Sequence, residues 1–262
     1  MYVDSHCHLT FPELKSQLDT IRAAMAQARV DRALCICTTL EEFPEVHGLA
    51  MAYDNFWATV GVHPDNEDVA EPDLATLLDL AQRPRVVGLG ETGLDYYRLN
   101  GRSVADMEWQ RERFRVHIRA ARQTGLPLVI HTRSASDDTI AVLKEEGGGQ
   151  VGGVFHCFTE TEAVARAALD LGFMISFSGI LTFKTAEALR DVARFVPLDR
   201  CLIETDSPYL APVPYRGKTN NPSYVPHVAA QVAQLKGLPV EAVAQATSAN
   251  FERLFRVPEA IR

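Results

Sequence analysis

Several things are scarce in this sequence. Tryptophan occurs twice in 262 residues, and no apolar run approaches the length of about 18 residues that a membrane-crossing helix needs. No membrane span is expected. The opening stretch MYVDSHCHLT lacks a basic segment followed by an apolar one, so no secretory signal is visible. Positive charge is in deficit: 26 Lys and Arg stand against 34 Asp and Glu, a formal net charge of −8. Such a chain has no global attraction for polyanions, and any action on nucleic acid must rest on a local patch or on bound cations. Low-complexity linkers are missing too. The most glycine-rich stretch, EEGGGQVGG at 145–153, reads as a helix-to-strand turn. Cysteines are few and odd in number, at positions 7, 35, 37, 157 and 201, and four lie in β-branched or apolar stretches. They read as reduced thiols of a cytoplasmic protein. Cys35 and Cys37 form a C-x-C that can bind metal, but ALCICTT has the pattern of a buried strand, and packing is the reading adopted.

What is present is a large apolar complement, 47% hydrophobic against 23% charged, enough for an extensive buried core. Short apolar runs alternate with longer segments of helical spacing. The runs predicted as strands are Tyr2–His8, Ala33–Thr38, Trp57–Val62, Val86–Glu91, Leu128–His131, Val154–Cys157, Phe173–Ser176 and Cys201–Glu204. The clearest helix is Ser103–Thr124, with Met107, Phe114, Ile118 and Ala121 near the 3.6 period and Gly125 as its C-terminal cap. Thr161–Leu171, ended by Gly172, is another. Val225–Leu254 reads as two helices split near Gly237–Pro239, and APVPYRGKTNNPSY at 211–224 as a Pro-rich loop. Continuous apolar strands alternating with helices argue for a parallel sheet covered on both faces. Eight such units in this length fit a single (β/α)₈ TIM barrel, one domain over residues 1–262, with its site at the C-terminal face of the strands.

The chemistry-bearing residues fall on that face. His6 and His8 end the first predicted strand, Glu91 the fourth and His131 the fifth, His156 lies near the end of the sixth, and Asp206 follows the eighth. Strand ends of a closed barrel converge on one mouth. Side chains two apart on a strand share a face, so His6 and His8 can both point inward while Cys7 points into the helix layer. Four imidazoles and two carboxylates suit a pair of divalent cations about 3.5–4 Å apart, bridged by one carboxylate and one water, with Glu91 as the best bridge. His63, in GVHP, also reaches the mouth but has no place in that ligand count; a substrate-contacting role is preferred to a hydrogen-bonded structural one. His47, His117 and His227 read as non-functional, and the role of Asp4 stays open.

The motifs DSHCHL, GVHP, GETGLDY, HTR, HCFT, ISFSG, ETDSPYL and RGKTNNP, in that order, resemble the TatD family of metal-dependent hydrolases in the amidohydrolase-like barrel superfamily. The match runs from residue 2 to about 254, and APVPYRGKTNNP looks closest to a YcfH-like branch. The resemblance implies a (β/α)₈ fold and a DNase giving 5′-phosphate products. It also implies metal ligation by His6, His8, Glu91, His131, His156 and Asp206. Glu91 stands where many superfamily relatives bridge their metals with a carbamylated lysine.

On this reading a water between two cations attacks the phosphorus of a phosphodiester, with Asp206 taking its proton. Arg133, Arg216 and Lys218 are candidates for flanking phosphates, His63 for orienting the phosphate or protonating the leaving oxygen, and Glu204 for holding a ligand imidazole from behind. Tyr96, Tyr97, Phe158, Phe183, Tyr209 and Tyr215 either stack on unpaired bases or pack over the mouth, and the sequence does not choose. Imidazole ligands favour Zn²⁺, Mn²⁺ or Ni²⁺, whereas the family resemblance points to Mg²⁺. The expected partner is DNA, single-stranded or frayed at its ends, acted on exonucleolytically by a monomer. A small-molecule amidohydrolase, esterase or phosphoesterase on the same barrel is the competing reading, and a non-enzymatic metal-binding protein a third.

Overall fold

The computed structural model describes residues 1–258. Eight parallel strands lie in chain order: β1 (Tyr2–Cys7), β2 (Val30–Cys35), β3 (Phe56–Val60), β4 (Val86–Asp95), β5 (Leu128–Arg133), β6 (Gly153–Phe155), β7 (Met174–Phe177) and β8 (Cys201–Ile203). Helices alternate with them. α1 (Pro12–Lys15) and α2 (Leu18–Gln27) follow β1, α3 (Phe43–Ala52) follows β2, and α4 (Leu74–Ala81) follows β3. α5 (Glu108–Thr124), α6 (Ser136–Glu145), α7 (Glu162–Asp170) and α8 (Glu187–Phe195) follow β4 to β7, and α9 (Val225–Lys236) and α10 (Val240–Phe255) follow β8. The ring closes just beyond the last strand. Asp206 N donates to His6 O at 2.9 Å and His8 N to Ser207 O at 2.9 Å, with a parallel bridge between Cys7 and Ser207. The fold is the expected (β/α)₈ barrel.

Local sequence explains the elements. α5 buries Phe114, Ile118 and Ala121 on one face and stops at Gly125, whose φ of 72° is the left-handed cap that glycine adopts freely. Thr161 caps α7 by accepting Val164 N–H. Most strand bounds shift by a few residues from the sequence reading, and three details go beyond it. Ser103–Thr124 is not one helix, because Ser103 and Asp106 form a capping box on a separate 3₁₀ turn, Val104–Met107, before α5 begins. The 145–153 turn contains a short 3₁₀ segment, Gly148–Gln150. β4 does not end at Glu91 but runs four residues further, to Asp95, with all ten residues buried.

Two apolar layers hold the barrel. The outer one lies between strands and helices and includes Cys7, Cys35 and Cys37, so the C-x-C is packing. The inner one holds Val3, Leu34, Ile36, Trp57, Val129 and Met174, and it is completed by Phe251 and Phe255 of α10 and by Val257. The last helix therefore plugs the interior, while the polar residues gather beyond the opposite, C-terminal strand ends.

Two register breaks shape that end. β1 spends three residues from Asp4 to Cys7 where β2 spends two from Ala33 to Cys35, and β4 spends three from Leu89 to Thr92 where β5 spends two from Leu128 to Ile130. Each extra residue is a bulge, which re-aims side chains next to functional sites. One bulge carries His6 and the other Glu91. The first takes Asp4 out of simple alternation with His6. Asp4 instead accepts Thr205 N–H at 2.9 Å, Thr205 Oγ1–H at 2.5 Å and His6 N–H at 3.3 Å, tying the first strand to the segment that carries Asp206. Beyond the second bulge β5 runs so close to β4 that a Cβ on Gly93 would lie 1.9 Å from His131 O.

Candidate metal centre

Glu91 is the hub of the cluster. It is 3% exposed, and its two carboxylate oxygens face different partners. Oε2 lies 3.2 Å from His6 Nε2 and 3.8 Å from His8 Nε2. Oε1 lies 2.7 Å from His156 Nε2, 3.2 Å from His131 Nδ1 and 3.3 Å from His63 Nε2. Asp206 Oδ1 joins the first set, 3.6 Å from His6 Nε2 and 3.4 Å from His8 Nε2. The fold thus brings together all six ligand candidates, together with His63.

The donor chemistry fits divalent cations. His6 Nε2 and His8 Nε2 face each other at 3.3 Å, and His131 Nδ1 and His156 Nε2 at 3.5 Å. Two unprotonated ring nitrogens that close repel unless a cation lies between them. Three overlapping groups are compact enough to hold one: His6, His8 and Glu91; His6, His156 and Asp206; and His63, Glu91 and His131. His6 is common to the first two groups and Glu91 to the first and third, and the His6 ring stacks on that of His156 at 3.8 Å.

What lies behind each ring decides which nitrogen is free. His156 Nδ1 donates to Glu204 Oε1 at 3.1 Å, and His131 Nε2 donates to Asp95 Oδ2 at 2.9 Å. Each carboxylate fixes the ring so that its other nitrogen turns a lone pair to the centre. His63 is the reverse case. Its Nδ1 accepts Asp65 N–H at 3.0 Å, so the proton of the neutral ring sits on Nε2, which makes His63 a donor into the site. The Nδ1 atoms of His6 and His8 are buried without a hydrogen-bond partner among the described residues.

Electrostatics follow the geometry. Burial pushes Glu91 up, but His156, His63 and His6 outweigh it and hold the carboxyl well below its usual range. Burial likewise raises Asp206, and His8, His6 and His156 bring it below its ordinary value. His156 is driven the other way: burial lowers it, yet Glu91 and Glu204 hold it well above the ordinary imidazole range. The imidazole protons therefore compete with a cation for the same carboxylate field, and loading must release protons.

A cavity of about 510 Å³ opens over the cluster. Its walls include His8, Phe11, Asn66, Arg133 and Tyr209, and the side chains of His63, His131 and Asp206 face it at 18%, 17% and 15% exposure. Arg133 lines the cavity; Arg216 and Lys218 do not, lying further out on the loop after β8. Of the aromatic candidates, Tyr96 and Phe158 are buried, and Tyr97 and Tyr209 are exposed.

Some positioning residues escaped the sequence reading. Asp95 is one; four residues past Glu91, it became recognisable only once β4 continued to it. Arg113 of α5 is another. Its Nη1 donates to His63 O and to Asn66 O, both at 2.8 Å, fixing the loop after β3. His117 accepts Val62 N–H at 3.1 Å on the same loop, a structural task.

The family model for TatD related DNase matches residues 3–256. An Escherichia coli relative, an uncharacterized metal-dependent hydrolase called YcfH, is 49% identical over 97% of this chain and 96% of its own length. A Klebsiella pneumoniae relative called a 3'-5' ssDNA/RNA exonuclease, TatD, is 31% identical over 97% of each chain. Among solved structures, the Escherichia coli TatD homologue YJJV superposes with a TM-score of 0.88 at 30% identity, covering 98% of both chains. A histidine and carboxylate cluster in this position, on a barrel matched from end to end, places the chain in the TatD family of metal-dependent hydrolases.

Proposed function

We infer that the protein hydrolyses phosphodiester bonds at single-stranded or frayed ends of nucleic acid, exonucleolytically and with 5′-phosphate products, using two divalent cations. The observation that carries this reading is the division of Glu91, one oxygen toward His6 and His8, the other toward His131 and His156. Placed so, Glu91 would let one carboxylate serve both cations. The nucleic-acid part leans on the name of the Klebsiella relative and on the resemblance in the motifs. Bound cations supply Lewis-acid polarisation of the phosphoryl oxygens and a nucleophilic water at neutral pH.

The protein's own groups do the rest. His6, His8, Glu91 and Asp206 would hold one cation, and Glu91, His131 and His156 the other. Imidazole-rich sets of this kind suit Zn²⁺, Mn²⁺ or Ni²⁺ ahead of Mg²⁺. Asp206, ionised and facing the cavity, accepts the proton of the attacking water. His63 Nε2–H reaches the same space from the other side, where it donates a hydrogen bond to a phosphoryl oxygen. Arg133 offers its planar fork to a flanking phosphate. Asp95 and Glu204 keep His131 and His156 turned correctly. The five free cysteines, four of them buried, fit a reducing compartment such as the cytoplasm.

The test is a hydrolysis panel on protein of defined metal content. It comprises end-labelled single-stranded DNA, duplex DNA, RNA, phosphomonoesters, and an amide and lactone set. Single-stranded ends are expected to be cleaved fastest. Cleavage confined to amides or lactones overturns the reading.

A further inference from the structure

Part of the positive charge of this acidic chain lies around the mouth. Elsewhere arginines meet carboxylates: Arg102 with Glu67, Arg111 with Glu108 and Asp138, Arg113 with Glu71, Arg119 with Glu146. Beside the mouth two arginines lie over aromatic rings, as Arg22 of α2 does over Tyr53. The Arg133 guanidinium carbon is 3.6 Å from the centre of the Tyr97 ring, and that of Arg216 is 3.6 Å from the centre of the Phe183 ring. Neither arginine forms a salt bridge among the described residues. Both are exposed, and Tyr97 is 58% exposed.

Stacking leaves the N–H edge of a guanidinium and its second face open, whereas a carboxylate partner would occupy the edge. An open edge binds phosphate, and an open planar face takes a base. The two platforms also stand on separate strand pairs. Tyr97 follows β4 and Arg133 ends β5, while Phe183 follows β7 and Arg216 follows β8. The two strand pairs are separated by β6, and His156 of the metal cluster stands just past its end. Beyond Arg216 the same character continues: Lys218 lies 5.7 Å over Tyr215, whose ring stacks on Tyr224 at 4.0 Å.

We propose that Tyr97–Arg133 and Phe183–Arg216 are nucleotide subsites that lay a single nucleic-acid strand across the mouth, one on each side of the phosphate to be cleaved. Paired bases cannot expose their faces to these platforms, so the arrangement selects unpaired strand. The proposal rests on the phosphodiesterase reading for its purpose, but it is a statement about binding and is tested as one.

The experiment measures fluorescence anisotropy of a labelled oligothymidylate of about ten nucleotides on metal-loaded protein. Asp206→Asn is present throughout to slow cleavage, and the metal content of every variant is measured alongside. Arg133→Ala and Arg216→Ala are each expected to weaken binding about tenfold and to make the salt dependence shallower. Arg216→Lys keeps the charge without the planar fork and is expected to recover less than half of that loss on a logarithmic scale. A blunt duplex of the same length is expected to bind at least about tenfold more weakly. Binding within twofold of the parent in both alanine variants overturns the proposal, as does full recovery by lysine or equal affinity for the duplex. A protein that binds strand through both arginines yet cleaves no nucleic acid, with Asp206 restored, retains the subsites and loses only the nuclease reading. One that cleaves strand with both alanine variants unimpaired loses only the subsites.

Discussion

Replacing Asp95 by asparagine tests the metal centre without touching any group placed in it. Asp95 divides its oxygens: Oδ2 accepts from His131 Nε2 at 2.9 Å and Oδ1 accepts Tyr97 N–H at 2.9 Å. It is 5% exposed, and Gln110 of α5 clasps its backbone from behind through two hydrogen bonds of 2.9 and 3.0 Å. An amide of the same shape has one oxygen for these two donors. Either Tyr97 N–H loses its acceptor, or His131 loses the partner that keeps its proton on Nε2 and its lone pair on Nδ1. The negative charge that raises His131 disappears in both cases; at present Asp95, followed by Glu91, outweighs the lowering effect of burial. Losing such a carboxylate behind a ligand imidazole costs about 10–100-fold in metal affinity, or roughly 1.4–2.7 kcal/mol. The assay is competition between metal-stripped protein and a chromophoric chelator for Zn²⁺ at neutral pH. One binding step should weaken by that factor, the other should change little, and the thermal melt of the stripped protein should stay close to the parent. Glu204→Gln should weaken a step in the same way through His156. Unchanged affinity in every step of the Asp95 variant would refute the idea that the carboxylate sets the imidazole's orientation.

Three further outcomes are expected. Asp206→Asn should lower kcat for a diester substrate by about 10²–10⁴-fold with the melt unchanged, and retained turnover would exclude its role as proton acceptor. Gly93→Ala forces a Cβ to within 1.9 Å of His131 O at a φ of +137°, and should cost on the order of 3–5 kcal/mol in chemical denaturation; a loss below about 1 kcal/mol would mean the β4–β5 approach is slack. His117 is fully buried, and burial, only partly offset by its hydrogen bond to Arg113 O, pulls it from 6.5 down to about 4. Between those values the unfolded chain binds the extra proton, so its contribution to stability is lost as pH falls from about 6.5 to about 4, on the order of 3 kcal/mol in all. His117→Gln should flatten the urea-unfolding curve against pH in that window, and an unchanged slope would show that another group carries it.

The alternation of apolar runs with amphipathic segments determined the barrel, because strand and helix periods are local properties of the chain. The positions of His6, His8, His131, His156 and Asp206 near or just past strand ends determined that they meet, because a closed parallel ring brings every C-terminal end to one mouth. Tertiary structure alone decided the rest. The bulges that aim His6 and Glu91 arise from pairing between neighbouring strands, and neither DSHCHL nor GLGETG announces an extra residue. Ring orientation was legible only in part: Glu204 was expected behind a ligand imidazole, but that this imidazole is His156, 48 residues away, and that Asp95 stands behind His131, depended on packing. Arg113 and α10 make the same point. Arg113 holds the His63 loop from a helix 50 residues downstream, and Phe251 and Phe255 seal the barrel from the far end of the chain. Each of these contacts joins segments that the chain's local pattern describes separately, and each becomes definite only when the ring closes and packs them together.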